Sequence, residues 1–226
     1  MIIKKLFFIA LASSILLFSC QSKEEKANEL IKEKLSKTLY DFDSYQPIET
    51  SVIEAKANIY NDSSCWKLGL GLTIGMDKFR DYMKDATSAI DHMRIWLPTS
   101  YSSSYSISKF NDYKKEAEEK KNKAVLAGYT CSKIVASIKD SVAKIDTTQV
   151  IGWEVNHRFR CKTKGGYSTI GNYRYIFDKD FEKILLFEDK DDKDCKTTRD
   201  FLKNIHDDFW NNFDKELEDL SKPFNF

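Results

Sequence analysis

No apolar run in this chain is long enough to cross a bilayer: the candidate, Leu6 to Phe18, falls short of the roughly 20 residues that a spanning helix needs. Neither sign of charge dominates, with 36 Lys and Arg against 35 Asp and Glu and a formal net charge of +1. Both signs are interleaved along the chain, which argues against a nucleic-acid partner, since that would want a basic face. Histidine is scarce. His92, His157 and His206 share no His-x-x-x-His or Glu-x-x-His spacing, so no metal ligand set is legible, and no cofactor is expected.

Glycine motifs fail in the same way. Gly69-Leu-Gly71 with Gly75 is one residue too long for a dinucleotide fingerprint and follows no clear strand, so it reads as a close-packing stretch. The segment Gly166 to Gly171 misses the Gly-x-Ser-x-Gly elbow by one residue and sits in a hairpin, which leaves Ser168 no credible nucleophile. Asp189, Asp191, Asp192 and Asp194 lack the glycine and the final glutamate of a calcium loop and read as a solvated turn. No catalytic set and no internal repeat emerges. The reading preferred is a non-enzymatic binding or interaction module; an enzyme, hydrolase-like or other, would have to assemble its site in the fold, and that alternative stays open beside a structural role in a larger assembly.

What is present starts with Lys4-Lys5, the apolar stretch and Ser19-Cys20, the order of a charged n-region, an h-region and a cleavage site. Leu17-Phe18-Ser19-Cys20 resembles the lipobox of bacterial lipoproteins, with Phe18 where that family usually has a small residue. The resemblance implies that residues 1–19 are a signal peptide and that Cys20 becomes the lipidated first residue. Two or three acyl chains anchor stably where one does not. Gln21 is not the aspartate linked to inner-membrane retention, which favours the outer membrane. Ser22-Lys23-Glu24-Glu25-Lys26 is similar to the lysine-plus-acidic signals of surface-exposed Bacteroidetes lipoproteins. The same residues also read as a Ser-x-x-Glu capping box. Expected partners are therefore the membrane, through Cys20, and an envelope protein or extracellular ligand.

The expected fold is α+β, a single domain over residues 20–226. Ala27, Leu30, Ile31, Leu35 and Leu39 mark an N-terminal helix ending near Tyr40, and Ile48 to Ala55 reads as a short strand. Leu72, Met76, Phe79, Met83, Ala86, Ile90, Met93 and Leu97 form a heptad seam, and a second seam runs from Phe110 to Ile145. Together they predict a long antiparallel helical hairpin over about residues 65–145, paired symmetrically about residue 103, with Gly128 a candidate helix break. Strict alternation from Ile151 to Cys161, followed by two more strands, predicts an antiparallel meander over about 150–188. A C-terminal helix is expected over about 197–221, covering the sheet together with the first helix. Ile151 to Arg160 and Gly171 to Asp178 resemble segments of small uncharacterised Bacteroidetes lipoproteins, a group that lends no activity.

Candidate site residues follow from placement. His157 falls on the apolar side of its strand, where burial would shift its pKa, as a site member or as a core histidine bonded to backbone or Tyr. Arg158, Arg160 and Arg174 could line a basic stripe on the opposite face, for an anionic ligand or for pairing with Glu154. Tyr101 and Tyr105 lie in a Ser/Tyr-rich loop at the hairpin tip, a composition that recognition loops use. The cysteines Cys65, Cys131, Cys161 and Cys195 match no zinc spacing and allow either two disulfides or four buried thiols. The hairpin register sets Cys65 about ten residues, roughly 15 Å, out of line with Cys131, against a bridge between them.

Overall fold

A computed structural model of the chain describes residues 22–223. The leader and Cys20, with the lipidation expected there, lie outside the described residues. Those described form five α-helices and one four-stranded antiparallel sheet, an α+β fold. They fall into two compact units: the described residues up to Lys56 with Gln149–Asp191, and Ala57–Thr148 with the described residues from Asp192 onward. Each unit closes an apolar face of its own.

The first unit starts with α1, Lys23–Thr38, and the capping box is formed: Ser22 Oγ accepts from the Glu25 amide at 3.2 Å, and the Glu25 carboxylate accepts from the Ser22 amide at 2.9 Å. Four-residue spacing brings Ala27, Ile31 and Leu35 to one buried stripe. Strand β1, Asp41–Lys56, is twice the expected strand and contains Pro47. Proline is tolerated because β1 is the edge of the sheet β1-β2-β3-β4 and its register shifts between Pro47 and Glu49. Strands β2, Val150–Lys162, β3, Ser168–Phe177, and β4, Ile184–Asp189, complete the meander. Val155, Phe159 and Cys161 of β2 with Tyr175 and Phe177 of β3 pack on the α1 stripe to form the core.

The second unit holds the hairpin, α2, Ser63–Ile95, and α3, Ser104–Val142. Its register is the symmetric one: Lys120 Nζ donates to Asp85 at 2.9 Å, the His92 and Tyr113 rings lie 5.1 Å apart, and a Cβ on Gly75 would stand 2.8 Å from Cys131 Sγ. The expected single C-terminal helix is two, α4, Lys193–Lys203, and α5, Asp208–Ser221. Asp192 caps α4 by accepting from the Cys195 amide at 2.9 Å, and Asp207 is the N-cap of α5. Ile205 stays buried between the two helices, so the apolar spacing runs through the break and conceals it in the sequence. These helices pack on the hairpin, α4 against α2 and α5 against α3, and within its own unit α1 packs on the sheet's core face.

Gly128 does not break α3, which is continuous. It is the point where α5 comes closest: an added Cβ would meet Leu217 Cδ2 at 2.3 Å and Cδ1 at 3.0 Å, and Leu217 is fully buried. Gly128→Val should therefore cost about 1–3 kcal/mol by overpacking, measured by urea unfolding. Much of that loss should return in Gly128→Val/Leu217→Ala, because the two sites share one space. Strictly additive costs would mean that the helices do not meet there.

Candidate ligand groove

Within the first unit, α1 and the first half of β1 leave a groove of about 510 Å³ lined by Asn28, Glu29 and Lys32 on one side and by Phe42, Asp43, Tyr45 and Pro47 on the other. It exists because β1 leaves its ladder with β2 between Asp41 and Gln46, where the register shifts. Ser44 holds the detached turn, donating to the Asp41 carbonyl at 2.7 Å while accepting from the Lys162 amide at 2.8 Å. Phe42 and Tyr45 stack along one wall with centroids 5.5 Å apart and planes within 11°.

Beneath that wall lies a chain of hydrogen bonds with a fixed direction. Thr50 has one hydroxyl proton and donates it to Asn28 Oδ1 at 2.7 Å. Its oxygen, 2.9 Å from His157 Nδ1, must then accept, which places the imidazole proton on Nδ1. Nε2 is left to accept from the Tyr45 phenol at 2.9 Å. Burial pushes His157 down to about 4 and raises the Tyr45 phenol above its ordinary value, so both are neutral near pH 7. The Tyr45 proton is committed inward, and the lone pairs of its oxygen remain for a donor in the groove.

The residues expected from the sequence fall in three places. His157 is fully buried on the core face, between Tyr45 and Thr50 and stacked on Phe159 at 5.5 Å. Arg158 and Arg160 are exposed on the opposite face, and Arg158 lies 3.6 Å from Glu49. Arg174 is buried, held by Glu154 at 2.9 Å and Glu188 at 3.1 Å. The expected basic stripe is therefore interrupted: the charge of Arg174 already faces two carboxylates of its own sheet. Burial raises the Glu154 carboxyl, but the Arg174 guanidinium outweighs it and holds the carboxyl below its ordinary value. Tyr101 and Tyr105 stand at the hairpin tip, in the other unit. Asn28, Tyr45 and Thr50 were not legible as site residues, because Tyr45 and His157 are 112 positions apart and Asp41–Tyr45 reads as the stop of a helix.

The cysteines follow the thiol alternative. Cys65, Cys131 and Cys161 are buried thiols and Cys195 is a half-exposed one. Burial pushes Cys65 up to about 12 and Cys131 up to about 11, so neither forms a thiolate near neutral pH. They pack as small apolar groups, with no disulfide among the described residues. The acidic turn works on its own backbone: Asp189 accepts from the Asp191 amide at 3.0 Å, and Asp192 caps α4. Among the described residues no group of three or more His, Cys, Asp or Glu side chains is placed to hold a metal ion, and no helix is long and apolar enough to cross a membrane. No family model, curated protein or solved structure gives a significant match to the chain.

Proposed function

We propose that the chain is an envelope lipoprotein, cut before Cys20 and anchored there by acyl chains in the outer membrane, whose body is a non-enzymatic binding module taking its ligand in the α1–β1 groove. One observation carries the binding half. Both ring nitrogens of His157 are engaged by Tyr45 and Thr50, so the one histidine near the groove cannot itself reach a substrate proton. The groove instead offers a stacked aromatic wall, Pro47, a phenol acceptor and the mixed charges of Glu29, Lys32 and Asp43. Its volume lies in the range of small-ligand pockets, roughly 300–1,000 Å³. A ligand with an apolar part for the wall and a hydrogen-bond donor for Tyr45 fits these groups.

Two variants test the two halves separately. Cys20→Ala should abolish palmitate labelling and leave the precursor uncut, while capture of ligand from envelope extracts by the immobilised chain persists. Lys32→Trp, at an exposed helix position, should fill the groove and abolish that capture while labelling persists. Palmitate retained in the first variant would remove the anchor. Capture unaffected in the second would remove the groove.

A further inference from the structure

We infer that the tip of the α2–α3 hairpin is a docking surface for a lipid bilayer carrying anionic headgroups. The tip exposes large apolar side chains close together: Ile95 is 74% and Tyr101 95% exposed, and Leu97, Tyr105 and Ile107 are exposed beside them. Single exposed apolar residues are ordinary, but a contiguous group marks a contact site. Trp96, half-buried, meets Tyr105 edge-on at 5.8 Å. Tryptophan and tyrosine flanked by aliphatic residues are the set that settles at the headgroup boundary, with an apolar body inward and a polar edge in water.

Charge and hydrogen bonding select lipid over other occupants. No acidic residue stands between Asp91 and Asp112, while Arg94, exposed and 3.1 Å from Asp91, and Lys109, half-buried, flank the apolar apex as a basic collar. Basic side chains at that depth are attracted by anionic headgroups. Part of the turn's backbone is already bonded within the turn, which lowers the cost of removing water there. Ser102 Oγ accepts from the Thr99 amide at 2.7 Å, Ser103 Oγ accepts from the Ser106 amide at 3.2 Å, and the Ser102 amide donates to the Thr99 carbonyl at 3.1 Å. Unsatisfied backbone is the main cost of placing a loop in an apolar medium. The inference does not depend on the groove or on acylation at Cys20.

The test uses the full chain in a Cys20→Ser/Cys195→Ser background, mixed with vesicles of phosphatidylcholine with or without phosphatidylglycerol. An environment-sensitive fluorophore is attached at Tyr101→Cys or, as a control in mid-helix, at the exposed Lys84→Cys. The probe at 101 should shift to the blue and be quenched by brominated acyl chains several-fold more than the probe at 84, and more strongly with phosphatidylglycerol. Leu97→Ser and Ser100→Asp, both at exposed positions, should each weaken docking roughly tenfold with helical circular dichroism unchanged. A water-like probe at 101 on every vesicle overturns the inference. So does a blue shift that follows protein concentration in the absence of lipid, which would make the occupant a second copy of the chain. Equal quenching with and without phosphatidylglycerol overturns the role of the basic collar.

Discussion

Arg174→Met should lower the unfolding free energy of the sheet unit by about 3–5 kcal/mol, the cost of removing one partner from a buried ion group. Arg174 and Glu188 are almost fully buried and Glu154 is half-buried, with guanidinium-to-carboxylate distances of 3.1 Å to Glu188 and 2.9 Å to Glu154. Without the guanidinium, two carboxylates would share one side of the meander, and the Glu154 carboxyl would lose what now outweighs its burial. The three strands are held in register at that point, since Arg174 of β3 lies opposite Glu188 of β4 and Asn156 of β2. Urea unfolding followed by near-ultraviolet circular dichroism of the Tyr and Phe cluster measures the loss. Replacing Arg174, Glu154 and Glu188 together by apolar residues of similar size should recover much of it. A cost under about 1 kcal/mol for Arg174→Met would place the group in the class of solvated surface pairs.

The second large effect is on acid stability, through His157. Its ordinary value of 6.5 falls to about 4 because burial disfavours the imidazolium. A group depressed in the folded state contributes stability that is complete above the unfolded value and is lost as pH falls through the folded one. The wild type should therefore lose about 3 kcal/mol between pH 6.5 and pH 4, with a slope of one proton. Glu154, also lowered, adds its loss only below its ordinary 4.5, so the interval from 6.5 to 4.5 isolates the histidine. His157→Gln should flatten the profile in that interval. An unchanged slope in the variant would show that the protons are taken up elsewhere. Because the imidazole is pinned by Tyr45 and Thr50, its protonation would reverse the direction of the hydrogen bond at Nε2, and the groove wall would loosen with the same pH profile.

Elements with a sustained period were legible in the sequence. The heptad seam from Leu72 to Met93 and the alternation from Ile151 to Cys161 gave the hairpin, its register and the meander, because burial of one face imposes those periods directly. Leu97, expected to end the seam, lies past α2 and is exposed. Three features were hidden for separate reasons. The break between α4 and α5 keeps Ile205 in the core, so the apolar spacing runs through it. The first half of β1 contains Pro47 and a detached turn, features that argue against a strand until it is known to be an edge. Gly128 resembles a weak point of a helix, yet its role is set by Leu217, 89 positions later, whose close approach leaves no room for a Cβ and which no local pattern encodes. The candidate site shares that limit. His157 was legible as a site member or as a buried histidine bonded to backbone or to a tyrosine, but that the partner is Tyr45, and that Thr50 and Asn28 complete the chain, depends on how the edge strand lies over β2.

The irregular course of β1 bears on how such molecules behave at high density. An outermost strand of sixteen residues presents a row of amides and carbonyls on which a neighbour's strand could template. Here only Glu49–Ala55 stays in unbroken step with β2, interruptions fall on both sides of it, and Pro47 has no amide hydrogen to offer. Copies crowded together would find no long flat margin to zip together, so the device that opens the groove also guards against fibril growth.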